Sequence, residues 1–362
     1  MALKAFLETW RCWAPIPSRC FLRQPSARFV EGAGHAQVAV GLVALLACGP
    51  SPVSGSEALD STVEIEPFVV RMAETHGVPE DQTRTLLSDA RVLDSVLEAV
   101  RRPAERKPWY EYRKIFVTKK RIERGVDFWR AHAQSLTRAA DRFGVPPEII
   151  VAVIGVESFY GVHRGRIRVL DALATLGFRY PKRSEFFLSE LEAFVLLSNE
   201  ERLDARQVKG SYAGAMGIAQ FISSSYRHYA IDFDGDGSRD LMQSPKDAIG
   251  SIANYLSVHG WRPGAAIAVL AEVEGDAFRA VVEQGMKPHA SLASIRAKGV
   301  SFATYAAEEE LGALLEFETR NGNEYWVGLT NFYVITRYNH SRLYALAVFQ
   351  LAQRIRERYV SG

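Results

Sequence analysis

Gly144-Val145-Pro146-Pro147-Glu148-Ile149-Ile150-Val151-Ala152-Val153-Ile154-Gly155-Val156-Glu157-Ser158-Phe159-Tyr160-Gly161 is the stretch whose reading decides the fold. Its prolines suit the first turn of a helix, and a Glu at that end suits the helix dipole. Ile150, Val153 and Ile154 recur with position 157 as i, i+3, i+4 and i+7, the buried stripe of a helix. The stripe asks for an apolar residue at 157, and the residue there is Glu157. Burying a carboxylate is costly unless it is neutral or partnered. Desolvation also raises a carboxyl pKa, which is how such a group keeps a proton to donate near neutral pH. Gly161 reads as the helix end, which puts Glu157 in the last turns at the edge of a cleft. The same pattern fits a structural Glu paired with an Arg, or a helix-end Glu facing water.

On the N-terminal side, residues 60–143 read as a helical domain. Val63, Phe68, Val69, Met72 and Ala73 recur at near-helical spacing, as do Leu86, Leu87, Ala90, Val92, Leu93 and Val96. Gly77-Val78-Pro79 separates two helices, and 118–142 reads as one amphipathic helix. On the C-terminal side, 165–200 has a helical pattern, and Ala248, Ile249, Ile252, Ala253 and Leu256 form another stripe. Residues 271–330 loosen into short Val, Phe and Tyr runs, with 324–329 as a strand, and read as a small β-containing domain. Residues 331–362 return as a terminal helical part of the core that begins at 144 and runs to 270. The expected fold is mainly α (α+β).

The second informative stretch is Asp232-Phe233-Asp234-Gly235-Asp236-Gly237-Ser238-Arg239-Asp240. Oxygen ligands at positions 1, 3 and 5, a Gly at 6 and a carboxylate at 9 match the first part of an EF-hand calcium loop. The twelfth position is Gln243 where such a loop has Glu. The expected Ca²⁺ ligands are Asp232, Asp234, Asp236 and the Ser238 carbonyl, with Asp240 or Asp247 completing the shell. A third feature is the density of aromatic and amide residues: Tyr160, Tyr212, Gln220, Phe221, Tyr226, Tyr229, Tyr255, and Asn331 to Asn339. Aromatic faces beside amide donors suit the C–H faces and hydroxyl edges of sugars.

Composition narrows the function classes. The chain has 362 residues, 48% apolar and 24% charged, with a formal charge of +2. That composition fits a folded protein of two or three domains without a strongly basic nucleic-acid footprint. The sequence carries no P-loop, dinucleotide Gly motif, Cys/His metal cluster or Gly-x-Ser-x-Gly, so no organic cofactor and no Ser nucleophile are expected. Residues 1–47 read as a leader: Lys4, Arg11, Arg19, Arg23 and Arg28 precede an apolar run over 37–47 that is too short to span a bilayer. Leu45-Leu46-Ala47-Cys48 resembles a bacterial lipobox, and 48–59 has the Ser/Gly/Pro composition of a flexible tether. An ordinary cleaved signal is the alternative. The other two cysteines, Cys12 and Cys20, fall within the leader, so the mature body depends on its core or on a bound metal rather than on disulfides.

Gly155 to Gly161, Gly210-Ser211-Tyr212-Ala213-Gly214-Ala215-Met216-Gly217-Ile218-Ala219-Gln220-Phe221, the Asp232 loop, Ser251 to Leu256, and Asn331-Phe332-Tyr333 through Arg337-Tyr338-Asn339 together resemble the lytic murein transglycosylase B family, over roughly residues 60 to 360. Ile218-Ala219 and the cation-loop ligand set depart from the family pattern. The resemblance implies a lysozyme-like helical catalytic core with an added helical domain and a small β domain. It implies cleavage of the β-1,4 bond between N-acetylmuramic acid and N-acetylglucosamine in peptidoglycan glycan strands, leaving 1,6-anhydro ends, with Glu157 as sole acid and base. It further implies substrate contacts from Ser211, Tyr212, Gln220, Phe221, Tyr255, Tyr338 and Asn339, and a structural Ca²⁺. The implied setting is a monomer on the periplasmic side of a Gram-negative outer membrane, anchored through acylated Cys48, near other cell-wall synthesis or hydrolysis proteins. Two rivals stand beside it: a hydrolytic muramidase that adds a second carboxylate from Asp171, Glu185 or Glu190, and a non-catalytic wall-binding protein.

Overall fold

The helix that opens after Gly144-Val145 runs Pro147–Ser158, and every residue from Ile149 to Ser158 is buried. The stripe expected from the spacing is therefore only part of the picture: Val151, Ala152 and Val156 are covered as well. A helix apolar on all sides has to sit at the centre of its protein, and the other elements are arranged around it. The computed structural model describes residues 56–59, 65–101 and 107–362. The leader, Cys48 and most of the tether lie outside the described residues.

The chain begins with β1 (Ser56–Ala58), which pairs antiparallel with β2 (Arg91–Leu93). Between them lie α1 (Glu66–His76) and α2 (Glu80–Leu87), divided by Gly77 at φ 66°. Then come α3 (Asp94–Val100), α4 (Trp109–Phe116), α5 (Lys119–Ala131) and α6 (Ala133–Phe143). The single helix expected over 118–142 is two, because His132 leaves helical geometry at φ −120° and serves as cap to both. The central helix is α7. After it, β3 (Ile167–Arg168) pairs with β4 (Lys209–Gly210), and α8 (Val169–Arg179) and α9 (Ser184–Glu200) run between them. The helical stretch expected at 165–200 thus breaks at a short turn over Pro181–Arg183. Short α10 (Ser223–Tyr229) and α11 (Pro245–Val258) complete this part.

The loosened stretch forms a five-stranded antiparallel sheet from β5 (Ala268–Val273), β6 (Ala290–Ser291), β7 (Val300–Phe302), β8 (Leu311–Thr319) and β9 (Gly322–Gly328), in the order β6-β8-β9-β5-β7. Side chains alternate across a sheet, and here both faces are used. Leu314 and Val327 join Phe278, Leu292 and Ile295, which lie in or beside the short helices α12 (Arg279–Val282) and α13 (Leu292–Arg296), in a small separate core. Leu315 and Phe317 face the main core, where the Phe317 ring lies 5.6 Å from that of Trp109. The chain then returns through α14 (Thr330–Tyr338) and α15 (Arg342–Ser361). α15 packs along α7, α5 and α4, while α11 packs on α6 and α7. α7 is thus enclosed by segments from both ends of the described chain. Fully buried Asn331 fixes the return, since its side-chain amide donates to Arg262 O at 2.8 Å and accepts from Arg262 N at 2.8 Å.

Candidate active site

Glu157 lies in the last turn of α7 and is only 7% exposed. The Tyr344 hydroxyl, fully buried in the first turn of α15, donates to Glu157 Oε1 at 2.6 Å. Tyr338, at the end of α14, stacks parallel to Tyr344 with ring centroids 6.4 Å apart. Its hydroxyl donates to Ala219 O at 2.5 Å. Burial, and then the Glu157 carboxylate, push both phenols well above their ordinary pKa, so both stay neutral and able to donate. Tyr344 was not among the residues expected at the site. Its sequence neighbourhood reads as an ordinary helix start, and nothing local ties it to a carboxylate 187 positions away.

The helix ends at Ser158, earlier than Gly161, because Phe159 and Tyr160 both adopt the left-handed conformation at φ 51° and 61°. For non-glycine residues this costs roughly 1–2 kcal/mol each, so the surroundings must impose it. Tyr160 runs between two helices, and a Cβ added at Gly125 of α5 or at Gly155 of α7 would lie 2.6 Å from its hydroxyl. The two glycines open the slot, and the hydroxyl at its bottom donates to Arg121 O at 2.7 Å. The Arg121 side chain is itself buried and donates to Gly155 O and Ile115 O, both at 3.0 Å. Ser158 Oγ donates to Ile218 O at 2.7 Å and accepts from Gly161 N at 2.9 Å. The turn that presents Glu157 is therefore fastened on α5, on α7 and on the loop that contains Ile218.

That loop, residues 210–221, is irregular, with Gly214 and Gly217 at positive φ and Met216 bridged to Phe221. Ser211 Oγ accepts from the amides of Ala213 and Ala215, so it shapes the loop, and half-buried Tyr212 follows it. Gln220 is also left-handed, at φ 50°; its Nε2 donates to Gly217 O at 2.8 Å, while buried Oε1 has no hydrogen-bond partner. Asn339, 2% exposed, likewise keeps both amide atoms unpaired. Buried polar atoms are nearly always bonded, so these two amides have hydrogen-bonding capacity available for a ligand. Phe221, Tyr255 and Tyr338 form one aromatic cluster with ring centroids 5.0–5.7 Å apart. Of the residues named for substrate, Phe221, Tyr255 and Tyr338 thus pack as one aromatic cluster next in sequence to the unpaired amide atoms of Gln220 and Asn339, while Ser211 shapes the loop.

The rival carboxylates have other work. Asp171 accepts from Arg168 Nε and Nη2 and from Arg91 N, and Glu190 accepts from Ser224 N and Oγ at the start of α10. Glu185 is exposed.

In the acidic loop, one carboxylate oxygen each from Asp232, Asp234 and Asp247 lies within 4.8 Å of the others. Asp247, fully buried in the first turn of α11, accepts from Phe233 N and Asp240 N. Asp232 accepts from the amides of Gly235, Asp236 and Gly237, and Gly235 and Gly237 take φ 82° and 92° to make that wrap. Asp234 Oδ1 is buried and has no hydrogen-bond partner. Asp236 and Asp240 stand outside this cluster and accept from nearby amides: Ser238 N for the first, Met242 N and Gln243 N for the second. Phe233, between the acids, carries the Arg138 guanidinium over its ring at 4.0 Å, which ties the loop to α6.

A largely helical body whose central helix ends in one buried carboxylate, under a wall of tyrosines, defines a lysozyme-like protein. The chain belongs to the Transglycosylase SLT domain family, whose pattern matches residues 61–353. It is 44% identical over 298 residues to the membrane-bound lytic murein transglycosylase B of Escherichia coli (strain K12), covering 80% of this chain and 81% of that one. Its structure resembles the Escherichia coli lytic transglycosylase Slt35 in complex with calcium, with a TM-score of 0.76 and 42% identity over 84% of this chain and 96% of that one. It also resembles SltB3 from Pseudomonas aeruginosa in complex with NAG-anhNAM-pentapeptide, with a TM-score of 0.69 and 30% identity over 81% and 78% of the two chains.

The slot makes a prediction about the turn. Gly155→Ala forces a methyl against the Tyr160 hydroxyl and should lower stability by about 1–3 kcal/mol. Tyr160→Phe fills the slot but drops one hydrogen bond and should cost only about 0.5–1.5 kcal/mol. Thermal melts of the two variants check the order; a Gly155→Ala protein as stable as the parent would refute the slot.

Proposed function

We propose that this chain is a lytic transglycosylase that cuts peptidoglycan glycan strands between N-acetylmuramic acid and N-acetylglucosamine, with Glu157 as acid and then base. The observation that carries this reading is the Tyr344–Glu157 hydrogen bond inside a buried, tyrosine-walled site, in a chain of the Transglycosylase SLT domain family. Protonated Glu157 gives its proton to the leaving glycosidic oxygen, and positive charge develops at C1. The neighbouring 2-acetamido group steadies that charge, so no second enzymic carboxylate is required. Ionised Glu157 then takes the proton of the C6 hydroxyl of the same sugar, which attacks C1 and closes the 1,6-anhydro ring. Tyr344 continues to donate to the carboxylate in its ionised state, the state that needs the donor most. Gln220 Oε1 and the Asn339 amide bond the sugar's polar edges, while Phe221 and Tyr255 cover its C–H faces. The commitment of Asp171 and Glu190 elsewhere argues against a hydrolytic pair.

Ca²⁺ fits the acidic loop through Asp232, Asp234 and Asp247, on the strength of their clustering and the unpartnered Asp234 oxygen. The Ser238 carbonyl, Asp236 and Asp240 are the further oxygens within the loop. The ion's role is structural: it holds the loop onto the start of α11. For placement, the Leu45-Leu46-Ala47-Cys48 sequence supports an acyl anchor at Cys48 facing the periplasm. No helix among the described residues is long and apolar enough to cross a membrane.

Glu157→Gln keeps the shape of the site and cannot move the proton, so activity on purified sacculi should fall by at least ~10²–10⁴-fold. The wild type should release muropeptides lighter by one water than hydrolytic products when measured by mass spectrometry. Reducing ends would make it a muramidase, and an active Gln variant would remove Glu157 from the chemistry. A cation that binds only the folded protein raises its melting temperature. The wild type should therefore melt higher in millimolar Ca²⁺ than in chelator, and Asp234→Asn should lose most of that difference; a melt indifferent to calcium counts against the site. Cys48→Ala should move the protein from the membrane to the soluble fraction, and an unchanged distribution would disprove the anchor.

A further inference from the structure

Phe159, two residues beyond Glu157, is ringed by cations. Its ring centroid lies 5.8 Å from Lys120 Nζ and 5.1 Å from the Arg124 guanidinium, with buried Arg121 at 5.0 Å on the same ring. The His163 imidazole stacks on it at 5.6 Å. Lys120 and Arg124 are exposed and sit i, i+4 on α5, a spacing at which like charges destabilise a helix. Elsewhere this protein pairs its arginines readily: Arg84 with Glu66, Arg168 with Asp171, Arg227 with Glu200. Around Phe159 it does not. Among the described residues, Lys120, Arg124 and exposed Arg166 make no ion pair, and Glu123 is turned to Lys119 at 3.8 Å. Burial first, and then the charges of Arg121, Arg166, Arg124 and Lys120, hold the His163 pKa below its ordinary value, so the imidazole is neutral and the local field is positive.

This cluster borders the cleft. The loop that carries Phe159 and His163 is held by Ser158, whose carbonyl accepts from His163 N at 2.8 Å and whose hydroxyl reaches Ile218 O in the glycine-rich loop. Two residues on from Ile218, Gln220 Nε2 lies 3.4 Å from Arg164 O, again in the Phe159 loop. Exposed Val162 adds an apolar contact beside the charges. A ligand held here thus lies next to the bond at Glu157 and carries negative charge on a partly apolar body.

We propose that Lys120 and Arg124, with the Phe159 ring, form a subsite for the carboxylates of the stem peptide carried by the glycan strand. This inference rests on the glycan-cleaving reading above and extends it to a substrate preference for strands with free acidic stems. The acetylated sugars of such a strand are neutral once the muramic lactyl group is in amide linkage, so its negative charge resides in the stems. Guanidinium groups suit carboxylates because they bond them in a planar, bidentate way. A lipid headgroup is the other anionic candidate. The position of the cluster, on the loop that also walls the cleft, favours the stem.

The test measures binding, so that it does not depend on catalysis. Calorimetry on the full chain in detergent would compare N-acetylglucosaminyl-N-acetylmuramic acid disaccharides bearing native stems, which lack the bond that is cut, with the same fragments after amidation of the stem carboxylates. The wild type should bind the native fragments about three- to tenfold more tightly, the range that a pair of exposed charge contacts supplies. Lys120→Gln/Arg124→Gln should bind both fragments alike, at the wild-type level for the amidated one, with a melting temperature no lower than that of the wild type. Equal wild-type affinity for the two fragments overturns the subsite. So does a double variant that keeps the preference, or one whose sole loss is binding to phosphatidylglycerol vesicles. If the preference is seen but no anhydro product forms from any strand, the subsite stands and the cleavage reading fails.

Discussion

The demand that organises this protein is that of a carboxylate at the end of an otherwise apolar helix. Around Glu157, its helical neighbours Val153, Ile154 and Val156 are apolar and buried. A donor reaches it from far along the chain, the Tyr344 hydroxyl at 2.6 Å. α15 must lie against α7 to bring the phenol to the acid, and Asn331 fixes the entry of α14 just before it. A phenol suits the place better than a cation would. A buried guanidinium or ammonium beside Glu157 would favour the ionised form and weaken it as a proton donor, whereas a neutral hydroxyl supports the carboxylate with a milder bias.

The second constraint is rotational. A side chain in the last helical turn swings with whatever follows it, and here the following two residues sit in a disfavoured conformation. Their cost is met by burying an aromatic ring between Gly125 and Gly155 and by the hydrogen bond at its tip. Strain of this kind persists only where the surroundings over-determine it. Three separate attachments do so, to the Arg121 carbonyl, to the Gly155 carbonyl through the Arg121 side chain, and to the Ile218 carbonyl through Ser158. The rigidity that places Glu157 thus comes from backbone carbonyls, which titrate in neither state of the acid.

Much of this was legible in the sequence, for definite reasons. Glu157 was visible as a charged residue at an apolar position, because helical spacing is a local property. The acidic loop was visible because its carboxylates alternate within nine residues. The sheet region was visible as a loss of helical period. What could not be read depended on distance or on backbone conformation. Tyr344 finds Glu157 across 187 positions. The helix end expected at Gly161 comes earlier, because Phe159 and Tyr160 already take the left-handed conformation. Gly125 and Gly155 read as weak points in helices until Tyr160 is seen between them. Among the loop acids, the sequence ranks Asp236 beside Asp232 and Asp234 and leaves Asp240 or Asp247 to complete the set, whereas the fold groups Asp247 with Asp232 and Asp234 and turns Asp236 to the Ser238 amide.

The same logic separates the two kinds of charge near the acid. Arg121 is buried and spends its donors on carbonyls, so it serves the turn and leaves no ligand-binding capacity at Nε or Nη1. Exposed Lys120 and Arg124, one position before and three after it on α5, make no such bonds and lie over the same ring. One helix therefore contributes inward to the geometry of Glu157 and outward to the field at the edge of the cleft. Because an exposed cation is screened over about 8–10 Å in salt, the outward pair acts on what is held beside Phe159 and has little reach to the rest of a long strand. A preference built this way concerns the sugar being cut, whatever the chain's near-neutral overall charge.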